Sequence, residues 1–497
     1  MKFIKNVKLN KHNIHLNINS KFKINKNGLI FFGNPIFSNI NKINQKNVKK
    51  YIHEISGVYL CLIIKKENIY IYNDVGGNFR VYFRKIGKNY FITDNFNYLL
   101  KKKINLDKEQ LTFWKNKNYT IGSKTLFKEV KKIPPSSISY FVNNEFIHQI
   151  YFNSNNLKIN GNLKTILKKC LDKNLKNLKS KKNKNILLFS GGKDSSLIAQ
   201  YLVRNKINFI PVILNTNPKI FELEINKTNA INIAKKNKLN LFSVDIDLYN
   251  INENTIINSM LFDFHFSILH FEGIKKIKKI FGKNINIICG QTADSIFSFG
   301  ATANTFSHLI SRISYVYNNF LLASLVKQLL QLKYKTQLQF SNIKKEDLFF
   351  FSFYYYLFVE KELFSKTLKT RKIINKLKSK LSNEKDYLMY LKIFGFIQGS
   401  DNQVLINSCK KYNANILMPY LDPQLIYGII KKKNNLKDIF FPKYPIIELL
   451  EESYLNKKVN YVKSKNMSNF SLKKIELDLK NKFLKRIKSL YKNEINY

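Results

Sequence analysis

Hydrophobic residues in roughly the first third of the chain occur in short runs or alternate with polar residues, a spacing typical of β-strands. Turn signals such as Gly76-Gly77-Asn78 and Gly87-Lys88-Asn89 separate the later runs. The pattern predicts that residues 1–155 are rich in β-structure. The predicted strands cover residues 29–32, 58–64, 69–72, 79–83 and 90–92.

A polar segment rich in Asn and Lys, residues 153–162, marks a change of pattern and is interpreted as a linker. Beyond it, strand-length apolar runs alternate with helical periodicity, which predicts a doubly wound parallel sheet in a second domain, 163–497. From about residue 305 onward the periodicity is almost entirely helical, with a last helix over 471–493. The predicted strands of this domain cover residues 186–189, 209–214, 241–246 and 285–289.

The composition indicates a folded protein that works in a reducing compartment. A chain of 497 residues with 44% hydrophobic and 14% aromatic residues is long enough for two or three domains, each with its own core. The four cysteines are far apart and show no metal-ligand spacing. The most apolar segment, 348–359, is too short for a membrane helix, and the N-terminus resembles no signal peptide. We therefore expect a cytoplasmic protein.

The formal charge of +52 would ordinarily suggest a nucleic-acid or anionic-membrane partner. Here the excess is nearly all Lys, is spread along the chain and accompanies abundant Asn, Ile, Phe and Tyr. These residues share A/T-rich codons, so a nucleotide bias in the encoding DNA explains the charge without a polyanionic partner. The charge therefore predicts neither a membrane nor a nucleic-acid partner.

The loop Ser190–Ser196 (SGGKDSS) carries the most specific chemical signal in the chain. It joins an apolar strand to a helix, so its backbone N–H groups and the positive end of the helix dipole suit a phosphate. It is not a Walker loop, because no Gly-Lys-Ser/Thr follows at the required spacing. Asp194 would repel phosphate unless a divalent cation lies between them, so the loop also predicts Mg²⁺.

A second candidate segment, Gly290–Phe297, follows the strand predicted at 285–289. Ligands of open α/β sheets bind at the carboxyl ends of the strands. Asp194 and Asp294 each follow such an end, so the fold is expected to bring both carboxylates to one Mg²⁺.

These motifs resemble those of the asparagine synthetase family, in which a glutaminase-like domain precedes an ATP pyrophosphatase (PP-loop) domain. Ser190–Ser196 matches the family's ATP loop, and Gly290–Phe297 matches its Gly-x-x-x-Asp-x-x-Phe segment. Further matching segments are Asp74–Phe83, Thr125–Pro135 and Pro419–Asp422. The resemblance implies an α/β protein: an Ntn-type, β-rich α+β domain over 1–155, then a PP-loop domain with a doubly wound parallel sheet and a helical C-terminal part.

The resemblance implies an enzyme, a C–N bond-forming ligase that converts ATP to AMP and pyrophosphate while activating a carboxylate for a nitrogen nucleophile. Its cofactors would be ATP and Mg²⁺, with Asp194 and Asp294 as metal ligands and Lys465 and Lys443 as catalytic cations, Lys463 being the second choice for Lys465. Its partners would be a small-molecule or peptide carboxylate, an amine or ammonia, and in one version a separate glutaminase. The ATP and pyrophosphate ligands would be Leu188, Ser190, Gly191, Gly192, Lys193, Asp194, Ser195, Ser196 and Gly290.

Two departures from the family change what the resemblance implies. Glutamine-hydrolysing members use an N-terminal cysteine, but Lys2 stands at that position, and Phe32–Phe37 replaces the glutamine-recognition pattern. We therefore expect a glutaminase-like domain without glutaminase chemistry. Asn415 stands where the family usually has a glutamate, so another residue must supply the general base or the substrate is not aspartate.

Several alternatives stay open at this point. β-Lactam synthetases and lasso-peptide macrolactam synthetases have a similar layout without the cysteine, and there the amine is internal to the substrate. A tRNA-modifying PP-loop enzyme would need a dedicated basic patch or a sulfur-handling cysteine pair, and neither is evident. A degenerate, non-catalytic homologue would not bind Mg·ATP.

Overall fold

A computed structural model describes residues 2–9, 12–19, 23–65, 68–100, 104–117, 120, 122–179, 183–260, 267–297, 379–381, 383–393, 402–432, 441, 443–455, 472–490 and 495–496. The predicted fold class is confirmed, because a β-rich N-terminal part precedes an α/β part with a parallel sheet. Within the described ranges, no helix is both long and apolar enough to cross a bilayer. The apolar segment 348–359 lies outside those ranges.

The N-terminal part contains two β-sheets. One has the strand order β1-β2-β8-β7-β10 and the other the order β12-β11-β6-β5-β4-β3. The short elements α1 (Val48–Tyr51), β9 (Ile104–Asn105) and α2 (Lys108–Lys117) lie between these strands in the chain. The strands are β1 (Lys2–Leu9), β2 (His12–Asn19), β3 (Lys23–Lys26), β4 (Leu29–Ile36), β5 (Ser56–Ile64), β6 (Ile69–Asn73), β7 (Tyr82–Ile86), β8 (Asn89–Thr93), β10 (Lys131–Lys132), β11 (Ser137–Val142) and β12 (Glu145–Ile150).

Both faces of strand β5 are buried, which explains why its sequence is an apolar run rather than an alternation of apolar and polar residues. Leu60 and Leu62 belong to the core cluster that joins the two sheets. Cys61 and Ile63, on the opposite face, belong to the core that continues into the C-terminal part. Because successive side chains of a strand point to opposite faces, burial of both faces requires an uninterrupted apolar sequence.

The structure differs from the predicted strands at one strand boundary and by containing strands that were not predicted. The strand predicted at 79–83 begins only at Tyr82, because the carboxylate of Asp74 accepts the backbone N–H groups of Asn78 (3.0 Å) and Phe79 (2.8 Å) and holds a turn there. Strands β1–β3 and β9–β12 were also missed. Of these, β1, β3, β10 and β12 lie at sheet edges, where polar strands are common, whereas β2 and β11 are interior strands that were overlooked.

The C-terminal part is built on a five-stranded parallel sheet. Its strand order is β15-β14-β13-β16-β17, and every neighbouring pair is parallel. The four strands predicted for this part are confirmed, whereas β17 was missed because three residues are too few for a periodic signal. The strands are β13 (Lys184–Leu188), β14 (Ile210–Asn217), β15 (Phe242–Asp247), β16 (Ile285–Ile288) and β17 (Asn415–Leu417).

Helices flank this sheet and extend to the C-terminal end of the described chain. The predicted last helix corresponds to α13, whose Phe483 packs against Trp114 of the N-terminal part with ring centroids 5.7 Å apart. Beyond α13, β18 (Ile495–Asn496) pairs with β9. The helices are α3 (Leu163–Lys176), α4 (Lys193–Arg204), α5 (Phe221–Lys236), α6 (Glu253–Met260), α7 (Ile268–Phe281), α8 (Ala293–Phe297), α9 (Glu384–Lys392), α10 (Gln403–Lys411), α11 (Pro423–Lys432), α12 (Tyr444–Ile447) and α13 (Leu472–Leu490).

The two parts are joined by a buried polar contact as well as by a shared apolar core. Asp422, at the start of α11, is fully buried; it accepts a hydrogen bond from Ser56 Oγ of β5 (2.8 Å) and pairs with Lys173 Nζ of α3 (2.6 Å). Burial alone raises the pKa of Asp422, but Lys173 and these hydrogen bonds bring it below its ordinary value. The domain boundary at 155–163 stays a prediction.

Candidate active site

The candidate site lies where the strand order of the parallel sheet reverses. From β13 the chain adds β14 and β15 on one side and then β16 and β17 on the other. Crevices at such a switch point, outside the carboxyl ends of the strands, are the usual ligand sites of open α/β sheets. The loop Ser190–Ser196 follows β13, which ends at Leu188, and the segment Gly290–Asp294 follows β16. The topology therefore brings the two predicted motifs together.

Glycines allow the two loops to approach closely. Gly191 has a φ of +67°, and a Cβ atom there would lie 2.4 Å from the backbone nitrogen of Ala230. A Cβ atom at Gly290 would lie 3.0 Å from Cβ of Asp194 and 3.1 Å from the backbone nitrogen of Ser195. Gly191 therefore requires a residue without a side chain, whereas a side chain at Gly290 would force the start of α4 to shift by a few tenths of an ångström.

The hydroxyl groups of the loop form a small network at the start of α4. Ser190 Oγ accepts a hydrogen bond from the Gly192 N–H (3.3 Å) and lies 3.3 Å from Ser195 Oγ, which donates to the Gly192 carbonyl (3.1 Å). Lys193 is exposed, whereas Ser196 is fully buried and its Oγ has no partner among the described residues. Gly192 is the N-cap of the 12-residue helix α4, so the loop faces the positive end of its dipole.

The two predicted metal ligands converge on one ammonium group. Lys443 Nζ lies 2.7 Å from Asp194 Oδ2 and 2.6 Å from Asp294 Oδ1. Lys443 is the N-cap of α12, which packs against α3 and α4. The structure thus brings together Asp194, Asp294 and Lys443, three predicted site residues that are distant in the sequence.

Burial and charge act in opposite directions on these groups. Burial raises the pKa of Asp194 above its ordinary value, although the ammonium of Lys443 opposes that rise. Burial lowers the pKa of Lys443, but the two carboxylates more than compensate and raise it above its ordinary value. Lys443 is therefore a stable cation at neutral pH.

The residues at this point fit Mg²⁺ together with a nucleotide. Mg²⁺ is commonly held by one or two protein carboxylates and the phosphates of a substrate. Asp194 and Asp294 already direct oxygens to one cationic atom, and Asp194 Oδ1 is buried without a partner among the described residues. Among the described residues, no cluster of three or more His, Cys, Asp or Glu side chains suited to a metal occurs.

A polar relay that the sequence analysis missed links the site to the N-terminal part. Thr292, two residues before Asp294, has a φ of +91°, which is strained for a β-branched residue. Its Oγ1 donates to Asn402 Oδ1 (2.9 Å), and Asn402 Nδ2 donates to Asn78 Oδ1 (3.2 Å). All three side chains are buried, and no sequence motif would have paired them because each lies on a different element.

Tyr420 supports the site from another direction, since its hydroxyl donates to the backbone carbonyl of Asp194 (2.9 Å).

Asn415 has a different environment from the one its sequence position suggested. It lies in an asparagine ladder across three neighbouring strands: Asn415 Nδ2 donates to Asn286 Oδ1 (3.0 Å), and Asn286 Nδ2 donates to Asn185 Oδ1 (2.8 Å). The ladder gives Asn415 a role in holding the sheet. Lys463 and Lys465 lie outside the described residues.

A separate cavity of about 760 Å³ lies between the N-terminal and C-terminal parts. Residues 190–196 do not line it. Its wall includes Asn19, the strand partner of Lys2 at the beginning of β1. Cys409 also lines it, but this thiol is buried and burial raises its pKa far above the ordinary range. Cys61 and Cys170 are buried with raised pKa values for the same reason.

No protein-family model matches this chain, and the comparison with curated proteins finds no match. The chain is similar to the solved structure of an NH3-dependent NAD synthetase from Campylobacter jejuni in complex with nitrate, at 15% identity and a TM-score of 0.21, covering 51% of this chain and 97% of that one. It is also similar to the U34-tRNA thiolase NcsA from Methanococcus maripaludis with its [4Fe-4S] cluster, at 14% identity and a TM-score of 0.21, covering 47% and 78%. Both likenesses are too distant to carry an activity over to this chain.

Proposed function

We propose that this protein is an ATP-dependent, AMP-forming ligase of the asparagine synthetase type. A substrate carboxylate attacks the α-phosphorus of ATP, the bond between that phosphorus and the bridging oxygen breaks, and pyrophosphate leaves. A nitrogen nucleophile then attacks the activated carboxyl carbon and displaces AMP. The product contains a new C–N bond.

One observation carries this proposal: a glycine loop at a helix N-terminus and two convergent carboxylates meet at the switch point of a parallel sheet. The backbone N–H groups of the loop and the hydroxyls of Ser190 and Ser195 would hold the pyrophosphate. Asp194 and Asp294 would hold Mg²⁺, which when bound neutralises phosphate charge. Catalysis would then rest on positioning and charge stabilisation rather than on a covalent enzyme intermediate.

The catalytic cations are assigned to two lysines. Lys443 already lies beside both carboxylates, within reach of phosphates bound at the loop. The second is Lys465, to which the family resemblance assigns the neutralisation of negative charge on the phosphates and on the tetrahedral intermediate. The mobile four-carbon side chain of lysine suits a charge that must follow a leaving group.

The protein would not produce its nitrogen nucleophile by hydrolysing glutamine itself. All four cysteines are buried, and burial opposes the thiolate that amide hydrolysis requires. We therefore propose that the N-terminal part keeps a glutaminase-like fold without glutaminase activity. Ammonia, an amine within the substrate, or a separate glutaminase would supply the nitrogen.

The test is release of AMP and pyrophosphate from Mg·ATP with aspartate, comparing ammonium with glutamine. We expect product with ammonium only, and none from the Asp194→Asn variant, which keeps the shape of the side chain and removes its charge. Product with glutamine would contradict the absence of a glutaminase. Binding of Mg·ATP without turnover of aspartate would point to another acid, and absence of Mg·ATP binding would contradict the proposed function.

A further inference from the structure

Lys443 lies at the point where the two carboxylates of the site converge. Its ammonium is within 2.7 Å of an oxygen of Asp194 and within 2.6 Å of an oxygen of Asp294. The side chains of Lys443 and Asp194 are 18% and 17% exposed, whereas that of Asp294 is 50% exposed. The bridge is therefore enclosed by the protein on the Asp194 side and open to solvent on the Asp294 side.

This bridge differs from an ordinary surface ion pair, because two carboxylates share one cation. Two carboxylates at such short range repel each other unless a positive charge lies between them. The ammonium donates to one oxygen of each, and Asp194 Oδ1 is left buried without a partner among the described residues. Asp194 Oδ1 is thus left for a further ligand, and a divalent cation coordinates more oxygens than this ammonium contacts.

A divalent cation would compete for the same oxygens. The ammonium group donates hydrogen bonds to carboxylate oxygens, and Mg²⁺ coordinates the same kind of oxygen. The two cations cannot occupy the site together, because at contact distance they repel each other strongly. The backbone of Lys443 is held at the start of α12, which packs against α3 and α4. An exchange of cations would therefore need rotation of one lysine side chain and no rearrangement of the fold.

We propose that Lys443 is a resident counter-ion of the two-carboxylate site, displaced by a divalent cation that arrives with the nucleotide. This inference rests on the proposed function for the identity of the nucleotide and the metal. Before binding, the ammonium holds Asp194 and Asp294 together. After the exchange, the same ammonium is released beside the loop and pairs with phosphate oxygens. Entry of the metal thereby delivers a cation to the leaving group.

The exchange predicts that the metal alone binds weakly to the wild-type protein. Mn²⁺ is a suitable probe, because its binding can be followed by electron paramagnetic resonance without nucleotide or catalysis. In the Lys443→Gln variant the competing ammonium is gone, so we expect Mn²⁺ to bind at least about tenfold more tightly than in the wild type. The matched control is Lys193→Gln, which removes one positive charge from the neighbouring loop Ser190–Ser196 without removing the bridge. We expect a much smaller change there. Equal Mn²⁺ affinities in the wild type and the Lys443→Gln variant would overturn the proposal.

A second measurement uses the wild-type protein and does not depend on the variant folding. Lys443 is tied to two carboxylates, so its amine should resist acetylation by acetic anhydride in the absence of metal. Saturating Mn²⁺ without nucleotide should increase its acetylation severalfold, measured by mass spectrometry of the peptide that contains it. Lys173, sealed against the fully buried Asp422, serves as the internal control and should not change. Unchanged labelling of Lys443 at saturating Mn²⁺ would contradict the exchange.

Calorimetry with Mg·ATP separates this inference from the proposed function. A wild-type protein that binds Mg·ATP, combined with equal Mn²⁺ affinities in the wild type and the Lys443→Gln variant, would reject the counter-ion exchange and leave the ligase proposal standing. A wild-type protein that does not bind Mg·ATP would reject the ligase, whatever Mn²⁺ does.

Discussion

At the scale of single residues, Gly191 combines a left-handed backbone with a close backbone neighbour. Its φ is +67°, and an added Cβ atom would lie 2.4 Å from a main-chain nitrogen that cannot move aside. We expect Gly191→Ala to lower the free energy of unfolding by at least about 2 kcal/mol and to abolish Mg·ATP binding. Urea unfolding and calorimetry measure the two effects.

Gly87→Ala is the matched control for that substitution. Gly87 has a similar φ of +56°, but no atom lies within 4 Å of an added Cβ. Its cost should be only the conformational part, roughly 1 kcal/mol, with Mg·ATP binding unchanged. Equal effects of the two substitutions would show that the close approach to Ala230 does not constrain the loop.

At the scale of elements, α10 connects the loop after β16 to the N-terminal part through Asn402. Removing this side chain in Asn402→Ala takes away the oxygen acceptor of Thr292 Oγ1, leaving it a 3.8 Å contact with Met418 Sδ, and the donor to Asn78 Oδ1, at a cost of about 1–3 kcal/mol. Because Thr292 holds a strained backbone two residues from Asp294, we also expect Mg·ATP binding to weaken about tenfold. Calorimetry with the folded variant checks the affinity.

Gln403→Ala tests whether the loss of any hydrogen bond to Asn78 weakens Mg·ATP binding, or only the loss of the bond through which Asn402 positions Thr292 and Asp294. Gln403 Nε2 donates to the backbone carbonyl of the same Asn78 (3.1 Å), and among the described residues it makes no hydrogen bond to Thr292. This variant should lose stability while keeping its Mg·ATP affinity. If both variants bind Mg·ATP as the wild type does, the relay has no role in positioning Asp294.

At the scale of the whole molecule, the buried ion pair of Lys173 and Asp422 lies within the C-terminal part and holds the carboxylate that accepts a hydrogen bond from Ser56 of the N-terminal part. Lys173→Met leaves the carboxylate of Asp422 buried without its ammonium, which should cost about 3–5 kcal/mol in the free energy of unfolding. The control is Lys482→Met, which breaks an ion pair with Glu253 in which both side chains are about half exposed; its expected cost is within about 1 kcal/mol. A small effect of Lys173→Met would mean that this ion pair contributes little to the stability of the contact around Asp422.

The contact between the parts should also respond to acid through His53. This buried imidazole lies 3.2 Å from Tyr427 Oη and accepts a hydrogen bond from Asn156 Nδ2 (2.9 Å), and burial lowers its pKa to about 4. The imidazole of His53 binds a proton more readily in the unfolded chain than in the folded one. The contribution of the neutral imidazole to the free energy of unfolding is therefore fully present above about pH 6.5 and is lost as the pH falls towards 4, by up to about 3 kcal/mol. Unfolding measured against pH should show a shallower slope for His53→Gln, and an unchanged slope would contradict this assignment.

The sequence alone was sufficient wherever the physical cause is local. An apolar run of strand length, followed by a glycine pair and a helix, identifies Ser190–Ser196 without tertiary information, because turn, backbone access and helix dipole all lie within one short segment. The same holds for the buried apolar runs of β14 and β16, and for the edge strand β15, in which the buried Val244 and Ile246 alternate with polar residues. Strands β1, β3 and β17 were missed because edge or very short strands carry little periodic signal, whereas β2 was missed although its buried Ile14, Leu16 and Ile18 alternate with polar residues.

Only the tertiary structure decided the contacts between elements that are far apart in the chain. The sequence predicted carboxylates at Asp194 and Asp294 and a cation at Lys443, but the ammonium between them follows from the packing of α12 against α3 and α4. The pairing of Thr292 with Asn402, and of Asn415 with Asn286, likewise depends on which elements become neighbours. Local chemistry selects the residue types of a site, whereas the distances between them are set by the topology of the sheet and the helices packed on it.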